Sequence, residues 1–189
     1  MKIPPQAKKV FSGVIFDVYQ WPQKMFDGSQ ATFEMLKRPD TVQIIAIDEN
    51  DKILIAEERQ PSMDKFFYSL FGGRIDVGEE PLTSAKRELM EESGYESNDW
   101  QLLKERQPVI KMDWTIYTFI ARNCKKIKDQ NLDAGEDIKI KVITFEELVD
   151  ITHQDENFSG RGLVYEIMKA QSLGKLDEFK QKIFGEPTK

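Results

Sequence analysis

GRIDVGEEPLTSAKRELMEESGY, residues 73–95, decides how this chain is read. Pro81 suits the first position of a helix and Gly94 its left-handed end, so the spacing predicts a helix over 81–93. At about 100° per residue, Glu88 and Glu92 stand about 40° apart, with Glu91 about 60° from Glu88. Three carboxylates therefore crowd one arc. Leu82, Ala85 and Leu89 form the neighbouring arc and are expected to face a core, which leaves the acids at its edge and partly desolvated. A like-charge pair at i,i+4 is unfavourable in water and more so when buried. Bound divalent cations would offset that cost. Arg87, four residues before Glu91, is placed to orient that carboxylate. Any helix this rich in glutamate has a plainer alternative, a solvated acidic face, and the spacing is what separates the two.

The remainder of the chain narrows the setting. Its 189 residues carry 27 basic and 33 acidic side chains, a net charge of −6, and 40% hydrophobic residues, enough for one folded domain with a real core. No apolar run approaches the ~18 residues of a membrane span, and no apolar stretch follows the basic N-terminus as a secretion signal requires. A lone cysteine, Cys124, excludes an intrachain disulfide framework and points to a reducing, cytoplasmic setting. With a single histidine, His153, it also excludes zinc centres built mainly from Cys and His. A tightly held metal would need oxygen ligands, which favours Mg²⁺ or Mn²⁺. The acidic balance argues against nucleic acid as a partner.

Along the chain, residues 10–21 are β-rich, with Val14, Phe16 and Val18 expected on one face. Asp27-Gly28 marks a hairpin and 30–38 its returning strand. Pro39-Asp40 breaks the pattern, so we divide the chain into a β-rich N-terminal segment, 1–38, and a main domain, 39–189. Strands are predicted at 41–47, 52–58, 66–71, 100–105, 113–121 and 138–144. Thr144 and Glu147 form a capping box that opens a helix over 145–151. Two more helices are expected, at 161–172 and 176–183. Strands mixed with a few helices indicate an α/β (α+β) sandwich. Gly73 to Gly78 has P-loop spacing, but Glu79 stands where Lys is required, and Gly160-Arg161-Gly162 lacks the third glycine of a dinucleotide fingerprint.

The segment 73–95 fits G-x5-E-x7-R-E-U-x-E-E-x-G-U, where U is a bulky aliphatic, through Gly73, Glu79, Arg87, Glu88, Leu89, Glu91, Glu92 and Gly94. Seven fixed matches would arise by chance on the order of once in a million. Tyr95 departs mildly from the pattern. This is the signature of the Nudix hydrolases, and the chain resembles that family. The resemblance implies an α/β/α sandwich with a mixed central sheet. It also implies metal-dependent hydrolysis of a nucleoside diphosphate linked to another group, X, giving a nucleoside monophosphate and phosphorylated X. By resemblance, Glu88, Glu91 and Glu92 are metal ligands for Mg²⁺ or Mn²⁺, joined by a backbone carbonyl at Gly72 or Gly73. Glu79 supports the loop or holds metal through water, and Arg87 is an orienter rather than a phosphate hook.

The flanks look like the ADP-ribose and nucleoside-diphosphate-sugar pyrophosphatases. In that subfamily a glutamate of the loop before the last strand often serves as general base; Glu136 is the matching candidate, with Asp137 next. Arg38, Arg59 and Arg74 are candidates for substrate phosphates, because guanidinium offers paired donors. Trp21 is the candidate platform for a base, against the plainer reading of a packed hairpin tryptophan; Trp114, Phe66 and Phe67 are read as core. Pro108 stands 13 residues past Tyr95 without the subfamily's usual Ser-Pro-Gly-like context, which bears on ADP-ribose itself rather than on diphosphate cleavage. Relatives with this layout pair through their N-terminal strands, so a homodimer is expected. The alternatives are a (deoxy)nucleoside triphosphate or dinucleoside polyphosphate hydrolase and a non-catalytic nucleotide-sensing module. The isopentenyl diphosphate isomerase branch is disfavoured by the single Cys124 and His153.

Overall fold

Alternate side chains of strand β4 (Thr41–Asp48) serve two separate cores, and the layered architecture follows from that alternation. The computed structural model describes residues 2–61 and 63–185. Ile45 and Ile47 point to one side of the sheet, while Val42, Ile44 and Ala46 point to the other. A strand buried on both faces reads as the near-continuous apolar run VQIIAI. β4 runs parallel to β10 (Ile116–Lys126) and antiparallel to β5 (Ile53–Arg59). β11 (Asp137–Ile143) extends the sheet beyond β5, and β8 (Asp99–Arg106) lies on β10. β6 (Phe67–Ser69) pairs with β5, and β7 (Tyr95–Glu96) with the end of β10.

Helix α1 (Pro81–Ser93) covers one face through Ala85 and Leu89. The other face is covered by α2 (Phe145–Gln154), α3 (Arg161–Ser172) and α4 (Leu176–Phe184), through Leu148, Leu163, Ile167 and Ile183. The mixed α/β sandwich expected from the sequence is present. Thr144 and Glu147 form the reciprocal capping box at the start of α2.

The N-terminal strands form a second sheet, in the order β1 (Lys8–Ser12), β2 (Asp17–Lys24), β3 (Gln30–Lys37) and β9 (Met112–Asp113). Two expectations need correction here. The β-rich stretch 10–21 is not continuous: it turns at Gly13, whose N–H donates to the Phe16 carbonyl, and Val14 sits in the turn, 96% exposed. The strand expected over 113–121 is split, because Asp40 accepts the Thr115 N–H at 2.7 Å and bends the chain there. Residues before the bend join β3; those after it join β4.

Candidate active site

Helix α1 buries a different arc from the one its apolar residues suggest. Leu82 is 38% exposed, whereas Ser84, Ala85, Glu88, Leu89 and Glu92 are buried. Two carboxylates thus lie within the buried face rather than at its margin. They are tolerated because the preceding loop brings polar backbone to them. The Gly72 N–H donates to Glu92 Oε2 at 2.8 Å. Gly73 lies so close to Glu88 that a Cβ there would fall 2.4–2.6 Å from its carboxyl atoms. At Gly72, φ is +147°, and a Cβ would stand 2.1 Å from the Val42 carbonyl oxygen. The Gly-Gly step is therefore a steric requirement of a backbone that passes between β4 and the acids. The Gly73 carbonyl is used in the sheet, accepting the Val42 N–H at 3.0 Å.

Arg87 ties the acids together. Its Nη1 donates to Glu88 at 2.9 Å and to Glu91 at 3.0 Å, and its Nε and Nη2 grip both oxygens of Glu79. Nη2 also reaches the Arg74 carbonyl. Glu79 accepts the Asp76 N–H as well, so it braces the loop, and Arg87 orients more than the single carboxylate expected of it. The hydrogen bond to Glu79, the charge of Glu88 and the hydrogen bonds to Glu88 and Glu91 hold the guanidinium firmly protonated. Burial pushes the carboxyl groups of Glu88 and Glu92 up from their ordinary range, Glu92 well above it; the charge of Glu136 adds to both shifts. Burial likewise raises Glu58, with Glu136 again contributing. The sequence reading missed Glu58: it ends a strand, and only the fold brings it to the acids.

Among the described residues no three Asp, Glu, His or Cys side chains converge as a ready-made ion cage, since Arg87 holds Glu88 and Glu91. The donor set nevertheless fits a hard cation. Two desolvated carboxylates and a half-exposed third, all oxygen donors, lie beside a loop that admits no side chain.

Arg38 and Arg74 line a cavity of about 410 Å³ that opens beside Gly72 and Gly73. The Arg38 guanidinium stacks 4.4 Å from the Trp114 ring centroid. Trp114 is accordingly a cavity wall rather than a core residue. Arg59 lies elsewhere, paired with Asp137 at 2.6 Å, along a neighbouring groove that Glu136 also lines. Glu136 accepts the Asp133 N–H of its own loop at 2.9 Å. Phe67 is buried as expected, but Phe66 is 37% exposed beneath the cations of Arg59 and Lys139. Trp21 is 5% exposed in the N-terminal sheet, packed on Phe33 and donating to Gln23, and does not line this cavity.

Residues 37–163 match the NUDIX domain family, so the chain belongs to that family. It is a pyrophosphohydrolase of this class, and Nudix hydrolases generally use divalent metal ions. Among its relatives is an ADP-ribose pyrophosphatase of Bacillus subtilis (strain 168), 23% identical over 157 residues, or 82% of this chain and 84% of that one. A methanol dehydrogenase activator of Bacillus methanolicus is 24% identical over 162 residues, 84% of this chain and 87% of that one. The fold matches a crystal structure of an ADP compounds hydrolase with a TM-score of 0.72 at 20% identity, over 90% of this chain and 95% of that one.

Proposed function

We propose that the protein hydrolyses the diphosphate bond of a nucleoside diphosphate linked to X, with ADP-ribose or a nucleoside-diphosphate sugar as substrate and Mg²⁺ or Mn²⁺ as the ion. The observation that carries this reading is the pair of buried carboxylates, Glu88 and Glu92, packed against the Gly72-Gly73 backbone beside a cavity walled by arginines. Glu88, Glu91 and Glu92 would hold the ion, supplemented by a backbone carbonyl at Gly72, and Glu88 and Glu91 would exchange their contacts with Arg87 for it. When bound, the ion neutralises the diphosphate and polarises its phosphoryl oxygens. Arg38 and Arg74 hold the phosphates from the cavity wall, with Arg59 on the adjoining groove. Glu136 takes a proton from the attacking water; a phosphorus–oxygen bond to that water forms as the anhydride bond breaks, leaving a nucleoside monophosphate and phosphorylated X.

The same reading assigns the N-terminal sheet to a homodimer. Val10, Phe11, Val14, Ile15 and Phe16 are all exposed there, and β1 presents an open edge. Trp21 reaches a base only if the partner's cavity lies next to this sheet.

The test is a substrate panel of ADP-ribose, GDP-mannose, UDP-glucose, NAD⁺, Ap4A and dNTPs, each with Mg²⁺, Mn²⁺ or EDTA. Diphosphate-linked substrates are expected to be cleaved to the monophosphate with either ion and not with EDTA. Cleavage of dNTPs alone, or of nothing, would overturn the reading. Glu136→Gln should lower kcat by about 10²–10⁴-fold with ion affinity nearly intact.

A further inference from the structure

The chain has seven arginines. Three meet carboxylates: Arg59 with Asp137, Arg87 with Glu79, Glu88 and Glu91, and Arg122 with Asp99. The other four, Arg38, Arg74, Arg106 and Arg161, form no ion pair among the described residues, and all four line the one 410 Å³ cavity. Glu58 is the one carboxylate among its lining residues.

Leaving these cations without a carboxylate is unfavourable, and among the described residues only the Arg161 guanidinium has an acceptor in its place, the Glu156 carbonyl, to which its Nη2 donates. The Nε atoms of Arg38 and Arg106 are buried without a hydrogen-bond partner. Burial presses the pKa of both groups downward, and the charge of Arg74 adds to the pressure on Arg38. A buried donor left unmet is costly, the more so on a charged group. The fold nonetheless makes room for them. The Arg38 guanidinium lies 5.7 Å from the Phe16 ring centroid and 4.4 Å from that of Trp114, contacts that hold it without neutralising it. Arg106 lies against Gly162, where a Cβ would come within 2.5–3.0 Å of three guanidinium atoms. The Gly160-Arg161-Gly162 run thus has a structural meaning: its second glycine seats Arg106, and its arginine opens α3 at the cavity.

The diphosphate reading assigns Arg38 and Arg74, next to the Gly72-Gly73 backbone, to the phosphates. Arg106 and Arg161 are left over on the wall formed by β8 and α3. We infer that these two arginines form a subsite for a further anionic group, a phosphate monoester or carboxylate, on the substrate's ribose or on X. Diphosphate-linked nucleotides that carry such a group are then preferred over their uncharged counterparts. This inference rests on the diphosphate reading above and specifies its substrate class.

Two matched pairs test it: NADP⁺ against NAD⁺ places the extra anion on the nucleoside side, and UDP-glucuronate against UDP-glucose places it on X. In at least one pair the charged member is expected to have a kcat/KM larger by roughly tenfold or more, with the difference mainly in KM. Arg106→Gln and Arg161→Gln should each reduce that ratio to about threefold or less. Arg161 is exposed, so Arg161→Gln removes little packing and keeps the test valid if Arg106→Gln folds poorly. A wild-type ratio below tenfold in both pairs, or a ratio that survives Arg161→Gln, overturns the subsite while leaving diphosphate hydrolysis standing. Failure to cleave any member of either pair while ADP-ribose or GDP-mannose is cleaved also overturns the subsite alone; only failure on every diphosphate-linked substrate of the panel removes both.

Discussion

Glu92 shows what a single side chain in this site costs the fold. It is buried, accepts one backbone N–H and faces the charge of Glu88, and its carboxyl titrates well above the ordinary range. In the ion-free protein the native state therefore binds this proton more tightly than the unfolded chain does. Stability is full below the ordinary carboxylate pKa and is lost as pH rises toward the elevated native value. Glu92→Gln removes that loss and keeps an acceptor for the Gly72 N–H. In EDTA, the variant should gain melting temperature over the wild type as pH increases from 5 to 8, at roughly 2–4 °C per kcal/mol for a chain of this size. Its turnover with Mg²⁺ should fall by several orders of magnitude, as expected when a ligand of the ion is lost. An equal melting temperature at pH 8, or wild-type turnover, would contradict the assignment. The spacing of 88, 91 and 92 was legible in the sequence because helix geometry alone decides it. The depth of burial was not, since Leu82 looked apolar enough to define the core face, and only the packing of α1 on β4 and β10 turns Glu88 inward.

Helix α1 depends on its two ends. Pro81 starts it, and Gly94 ends it with φ at +73° and its N–H on the Met90 carbonyl. The Gly94 carbonyl accepts the N–H groups of Ile127 and Lys128, locking the helix end to the end of β10. A Cβ at Gly94 would stand 2.1 Å from the Lys128 carbonyl oxygen. Gly94→Ala should therefore destabilise the protein by about 1–3 kcal/mol in urea unfolding, beyond the usual alanine effect at a helix end. The helix, its caps and the capping box of α2 were readable because they depend on neighbours within four residues. The break at Gly13 and the bend at Asp40 were not. The bend divides one run between two distant partners, β9 on β3 and β10 on β4, for which local pattern carries no signal, whereas Gly13 closes a tight turn of β1 onto β2 that the continuous β-rich composition of 10–21 conceals. Glu58, Arg106 and Arg161 were not legible as neighbours of one cavity because they lie on three elements that meet only in the folded sandwich.

At the scale of the whole molecule, the exposed apolar residues of the N-terminal sheet define the clearest test of assembly. Light scattering should give twice the chain mass for the wild type, and Phe11→Glu with Val10→Glu should halve it without unfolding the main core, since both side chains are more than half exposed. A monomeric wild type would remove the dimer and, with it, any role for Trp21 toward a base. The layered order of strands has one more effect. β4 lies directly beside β10, although helix α1 and much of the sheet separate them in sequence. During synthesis the acid-bearing helix leaves the ribosome before the strand that forms half of its seat. Until residue 126 has emerged, the seat of Glu88 and Glu92 is only half built, on β4 and the Gly72-Gly73 loop, so a nascent or prematurely terminated chain carries the signature residues without a completed centre.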